Sequence, residues 1–163
     1  MRFAADLGHM FQVHPAPERP QAAAEAGFDG VTLADPYHLN AQAFRDDLTL
    51  AGLAGASITA PPPNYTGGVP GWIAAPEAQP RFERDAQRAL RYGQVLRPSV
   101  IILDPGPAAS ASEETLLKNL HVVARLSASQ RFALDCARAP LDPTFAAQVL
   151  AEAPAPLLGL LFD

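Results

Sequence analysis

One cysteine in 163 residues leaves no partner for an internal disulfide, so nothing in the chain asks for an oxidising compartment. No apolar run approaches the roughly 18 residues of a membrane span. Positive charge is short as well. Twelve Lys and Arg stand against 17 Asp and Glu, a net charge of −5, which gives nucleic acid or an anionic membrane little electrostatic hold. Asp6 interrupts Met1-Arg2-Phe3-Ala4-Ala5 at once, so the N-terminus lacks the apolar core of a signal peptide. Gly-rich phosphate loops, zinc-ligand spacings and a Ser-His-Asp signature are also missing. These absences fit a soluble cytoplasmic protein without nucleic-acid or membrane partners. With 48% apolar residues the chain is rich enough for a packed core, and 1–163 reads as a single domain.

Proline is abundant, at 17 residues, and falls mostly between periodic segments, as loop residues do. The organising stretch is Gly27-Phe28-Asp29-Gly30-Val31-Thr32-Leu33-Ala34-Asp35-Pro36-Tyr37. An Ala-rich helix over 18–26 ends at Gly27, a tight loop follows, then an apolar strand at 30–34 that stops at Asp35-Pro36. That is the repeating unit of a parallel α/β protein. The unit recurs. Strands are predicted at 2–7, 54–60, 100–103, 132–134 and 157–163. Helices are predicted from Asn40 to Gly52, over 81–96, from Ser110 with Glu113 as a capping box, and from Asp142-Pro143. In the 81–96 helix Phe82, Ala86, Ala89, Leu90, Gly93 and Leu96 share one face, Arg81, Arg84, Asp85 and Arg88 lie elsewhere, and the arginines read as a solvated face rather than a nucleic-acid patch. Val100-Ile101-Ile102-Leu103 is apolar on both faces, as suits a parallel strand covered on both sides.

Sites in such a fold gather at the carboxyl ends of the strands. Asp6, Asp35, Asp104, Asp135 and Asp163 stand there. Such a rim can hold Mg²⁺ or Mn²⁺, although Asp in these loops also serves as a turn or cap residue. Asp135 and Asp163 are the better ligand candidates, because each directly ends an apolar run. His9 and His38 follow strands one and two, where each can bind substrate or move a proton, or be an ordinary polar loop residue. The long loop 61–76 carries Tyr65 and Trp72, as a lid over a ligand or as pins that fasten the loop to the body. Cys136 has no histidine near it in sequence and reads as a small buried thiol rather than a nucleophile.

Met1-Arg2-Phe3-Ala4-Ala5-Asp6-Leu7, Ala24-Glu25-Ala26-Gly27-Phe28-Asp29-Gly30-Val31, Pro36-Tyr37, Ala51-Gly52-Leu53 and Ala60-Pro61-Pro62 occur in an order that resembles the hydroxypyruvate isomerase family. That family belongs to the xylose-isomerase-like TIM barrels. The resemblance implies a (β/α) barrel, a divalent metal, Mg²⁺ or Mn²⁺, and interconversion of a hydroxyaldehyde with a hydroxyketone. It assigns Asp135 as metal ligand and catalytic carboxylate and Asp163, in Phe162-Asp163, as second ligand; in an enzyme of that kind the strand-exit residues His9 and His38 and the loop residues Tyr65 and Trp72 would hold a small hydroxy-carbonyl substrate. Three departures accompany it. Asp135 stands where the family has Glu, Ile102 falls near the family's strand-four His, and six strands are legible against eight in about 250 residues. The fold class expected is therefore α/β, an incomplete TIM-barrel-like array of about six parallel strands with outer helices. Its open first and last strands point to a homodimer. The function expected is an isomerase or epimerase with slow or no hydroxypyruvate turnover. The alternative is a degenerate relative that binds a ligand or partner without turnover.

Overall fold

The computed structural model describes residues 1–127, 129–136, 148–149, 151–152 and 158–161. Six strands, β1 (Ala4–Asp6), β2 (Gly30–Leu33), β3 (Ala54–Ala60), β4 (Val100–Leu103), β5 (Phe132–Asp135) and β6 (Leu158–Leu161), form one sheet in chain order. Every neighbouring pair is parallel. Helices α1 (Arg19–Glu25), α2 (Ala41–Leu50), α3 (Gln79–Leu96) and α4 (Glu113–Leu126) fill the crossovers. Residues 148–149 and 151–152 are also helical, with Val149 fully buried. The predicted start of that helix at Asp142-Pro143, and its partners Phe145, Ala146 and Leu150, lie outside the described residues.

Two helix ends turn the chain straight into the next strand. After α1, Gly27 sits at φ +86°, and the amides of Gly27 and Phe28 donate to Ala24 and Ala23. After α2, the amides of Gly52 and Leu53 reach back to Thr49 and Leu48 in the same way. Such a doubly bonded end consumes carbonyls that the helix leaves open. At the other end of α2, the Asn40 side chain accepts from the Ala43 amide at 3.1 Å, as predicted. The predicted Ser110 cap is wrong. Ser112 caps α4, accepting from the Thr115 amide at 3.3 Å, and Ser110 closes a short 3₁₀ turn instead. The acidic pair Glu113-Glu114 then fills the first turn, where the positive end of the helix dipole favours it.

The solvated arginine face is a second correction, since Arg81 and Arg88 are half-buried. Asp85 beside them is 3% exposed. Its carboxylate accepts twice from Arg81, at 2.8 and 3.2 Å, and once from the Gly71 amide at 3.0 Å. A buried carboxylate is tolerable only when so paired. The pair ties the start of α3 to the 61–76 loop.

The two faces of the sheet differ. Ile101 and Leu134 are fully buried, and Ile101 packs against Gly93 of α3. Register places Thr32, Thr59, Ile102, Ala133 and Asp135 on the other face, and each of these is half-buried. The expected cover on both sides of β4 is therefore present on the helix side and partial on the other, among the described residues. Ile101→Ala should cost about 2–5 kcal/mol in urea unfolding, the usual loss for a buried Ile, and Ile102→Ala clearly less. Equal losses would show the second face to be as closely packed as the first.

Candidate functional site

β1 and β2 end in the same way. Asp6 closes β1, and its carboxylate accepts from the Gly8 amide at 2.8 Å and meets His9 Nδ1 at 2.6 Å. An ionised carboxylate only accepts, so in that contact Nδ1 carries the hydrogen and the neutral ring keeps its lone pair on Nε2. Asp35, just past β2, accepts from the Tyr37 amide at 3.3 Å, and its second oxygen lies 3.8 Å from His38 Nδ1. Both histidines open on one cavity of about 330 Å³ between the two exits. Its walls include Leu7, Leu33, Leu39 and Phe44, and Arg19 and Asp35 bring charge to it. The volume lies at the small end of ligand pockets.

The remaining site candidates lie elsewhere on the strand ends. Tyr65 does not line the cavity, but its hydroxyl donates to Asp35 at 2.7 Å. Arg88 lies over the Tyr65 and Tyr37 rings, 5.5 and 5.6 Å from their centroids. Tyr37 is buried, donating to the Thr59 carbonyl at 2.5 Å while its own carbonyl accepts from Tyr92 at 2.8 Å. So Tyr65 fastens the long loop to the β2 exit. Trp72 fastens it to the β4 exit. Gly106, at φ +88°, lies under the indole, and a Cβ there would meet the ring at 2.8 Å. The Gly106 amide donates to buried Asp104 at 2.8 Å.

Asp135 is half-buried at the end of β5, three places from β2 and four from β1 in the sheet order. Asp163 lies outside the described residues. Among the described residues no three His, Cys, Asp or Glu side chains group as a metal site would need. Cys136 is buried, and burial and then the charge of Asp135 push its thiol up, away from nucleophilic character. Reading the sequence missed Arg19 as a cavity residue, and it missed the repeated Asp-x-x-His spacing of Asp6–His9 and Asp35–His38. That spacing was visible in the sequence, and the fold shows that the two histidines share one cavity.

No family model matches the chain. A 2-oxo-tetronate isomerase of Pectobacterium atrosepticum is 33% identical over 128 residues, 76% of this chain and 49% of that protein. One from Cupriavidus necator is 32% identical over 134 residues, 79% of this chain and 52% of that protein. A Mus musculus protein that bears the hydroxypyruvate isomerase name is 30% identical over 119 residues, 72% of this chain and 43% of it. The chain is a homologue of these isomerases. It spans about half the length of the curated relatives it matches. The solved AP endonuclease, family 2, of Brucella melitensis superposes with a TM-score of 0.86 at 25% identity, covering 99% of this chain and 68% of that one. A 3-keto-D-glucoside 4-epimerase from E. coli gives 0.74 at 16% identity, over 98% and 67%. The fold is that of the xylose-isomerase-like TIM barrels. Among the described residues no helix is long and apolar enough to cross a membrane.

The tyrosines give a pH test. Burial, then the neighbouring Asp35, raise the Tyr37 phenol far above its ordinary value. Desolvation, then the bond to Asp35, push Tyr65 up to about 12, although the residue is 55% exposed. Folded values above the unfolded ones mean that their contribution to stability is whole below pH about 10 and fades as pH rises past it. Absorbance at 295 nm at pH about 11 should show Tyr37 and Tyr65 still largely protonated in the folded protein, with the missing phenolate signal appearing on unfolding. Three ionised phenols in a folded chain would contradict the Tyr65–Asp35 bond.

Proposed function

We propose that the chain acts as an isomerase of a small hydroxy-carbonyl compound, at the rim where β1 and β2 end. The observation that carries this is the Asp6–His9 pair at 2.6 Å, opening on a cavity shared with His38. With Nδ1 held by Asp6, the Nε2 of His9 can take a proton from the carbon that bears the substrate hydroxyl. The electron pair left behind forms an enediolate, with the negative charge on the former carbonyl oxygen. Returning the proton to the neighbouring carbon, while the hydroxyl gives up its own, moves the carbonyl by one position. His38 and Asp35 stand where they can exchange hydrogens with the two oxygens. The names of the curated relatives support this class of reaction.

The resemblance also puts Asp135 in catalysis and, with Asp163, at Mg²⁺ or Mn²⁺. The described residues offer no ligand set that fits such an ion, so no step is derived through it. Asp135 stays in the proposal as a carboxylate that a weak metal site would use, and as a candidate proton carrier. That same lack of a three-ligand group among the described residues favours a second reading, a relative that binds without turnover. The name of the Brucella structure does not transfer, since a net charge of −5 opposes DNA.

Purified protein incubated with hydroxypyruvate, with and without Mn²⁺, and coupled to a reductase for tartronate semialdehyde should turn over below about 1 s⁻¹, the low end of the ordinary enzyme range. His9→Asn should remove about 100-fold of that, the minimum for a lost general base. A rise with Mn²⁺ that Asp135→Asn cancels would support the metal role, and no rise would reject it. Binding with no conversion at stoichiometric protein would favour the second reading.

Association belongs to the same proposal. β1 and β6 are the two ends of the sheet, each hydrogen-bonded to one neighbour, and Phe3 beside β1 is 56% exposed. A second copy of the chain would satisfy such an edge and shield the half-buried face. Light scattering at micromolar concentration should give twice the 17.2 kDa chain mass, and a stable monomer would overturn the dimer.

A further inference from the structure

We infer that the tip of the 61–76 loop is a hinged flap, latched to the β2 exit by the Tyr65 hydroxyl, and that its closure fixes the Asp35 carboxylate for the chemistry of the cavity. The role in fixing Asp35 rests on the reading that this cavity is the reaction site. The latch itself does not.

The loop is anchored at both ends. Pro62 is fully buried on the β3 side. On the α3 side the Gly71 amide donates to Asp85, and the Ile73 and Ala74 amides donate to the Asp104 and Pro105 carbonyls at 3.2 and 3.3 Å. The buried Asn119 side chain adds a bond to the Ile73 carbonyl at 2.8 Å. Residues 65–69, between these anchors, are exposed. Asn64 ties the tip to itself. Its side-chain oxygen accepts from the Thr66 amide at 3.3 Å and the Thr66 hydroxyl at 2.9 Å, and its side-chain nitrogen donates to the Gly67 carbonyl. The Gly67 amide returns to the Asn64 carbonyl at 3.0 Å. The tip is thus a preassembled turn that owes its shape to its own side chain and not to the body beneath. Gly67 and Gly68 complete it at φ +88° and +90°. Glycine moves between positive and negative φ at little cost, so this pair is a hinge between the turn and the anchored Gly71.

Among the described residues, one hydrogen bond joins this turn to the body, the 2.7 Å bond from the Tyr65 hydroxyl to Asp35. The Tyr65 ring lies on Arg88, which rests in turn on the buried Tyr37 ring and donates to the Tyr37 carbonyl at 3.4 Å. Arg88 and Tyr37 belong to the body, so Tyr65 is the layer of that stack that can lift off. The Asp35 oxygen that takes Tyr65 also accepts from the Tyr37 amide, at a longer 3.3 Å, while the other oxygen faces His38. Asp35 and His38 both line the cavity. Lifting the flap therefore takes away the shorter of the two bonds that orient the cavity's carboxylate, and leaves it free to turn. Closing the flap restores it. A hydrogen bond to a charged acceptor is strong enough to shift such an open–closed ratio about 10-fold.

Chymotrypsin makes the test, because it cuts after Tyr and Phe alike and so reads the tip in the unaltered protein and in Tyr65→Phe. Under native conditions the rate of cleavage after residue 65, followed by mass spectrometry, tracks the open population. It should rise about 10-fold in Tyr65→Phe. Asp35→Ala should raise it similarly, and the double variant no further, because both remove the same bond. Should Asp35→Ala not fold, Asp35→Asn takes its place with a smaller rise, since it keeps the acceptor and loses the charge. In the hydroxypyruvate assay Tyr65→Phe should lower kcat by about 10- to 100-fold with KM little changed, as expected when a group is misplaced rather than removed. Equal cleavage rates in Tyr65→Phe and the unaltered protein, or additive effects in the double variant, would overturn the latch. Faster cleavage with an unchanged kcat would overturn its role in fixing Asp35. Faster cleavage in a chain that shows no turnover at all would overturn the proposed reaction and leave the latch standing.

Discussion

Parallel strand pairing is the constraint on which the rest depends. A parallel strand cannot return through a hairpin, so each needs a crossover, and the helices of the first four crossovers pack in sequence, α1 on α2, α2 on α3 and α3 on α4. The consequence is an alignment of strand exits. Asp6, Asp35, Asp104 and Asp135 come from segments spread over most of the chain, yet all stand at the carboxyl end of the sheet. Chemistry can gather there because backbone hydrogen bonding is satisfied below it.

The 61–76 loop is long for a connection between strand and helix, and side chains hold it at several points. Asp85 of α3 takes the Gly71 amide, Trp72 covers Gly106, and Tyr65 reaches Asp35. Arg88, from the middle of α3, lies between the Tyr37 and Tyr65 rings and so links the helix layer to the β2 exit. Cation–ring contacts of this kind are worth about 0.5–2 kcal/mol each. The result is that Asp35 has an orientation set by residues from the strand, the loop and, through Tyr65, α3.

The isomerase homologues and the wider set of barrel structures share this scaffold while their names cite different chemistries. A fold common to a named endonuclease and a named epimerase says little about reaction class. What separates them is the set of groups at the rim. Here that set is two Asp–His pairs and an arginine at one end, and Asp104, Trp72 and Asp135 towards the other.

The strand order, the parallel pairing and most element boundaries were legible in the residues, because apolar runs and the glycines that close helices act locally. Val100–Leu103 and Gly27 are examples, as is the resemblance carried by the Gly-Phe-Asp-Gly-Val stretch. Arg81 reads as solvated from the sequence, and only the loop packed over α3 buries the Asp85 carboxylate that it pairs with. Ser110 was taken for a cap because two serines compete two residues apart, and the turn before α4 decides between them. His9 and His38 were visible as loop histidines. That they share one cavity, and that Arg19 from the following helix lines it too, was decided by the tertiary structure. Side chains 10 to 29 residues apart in sequence meet there only because β1 and β2 lie about 4.8 Å apart in the sheet.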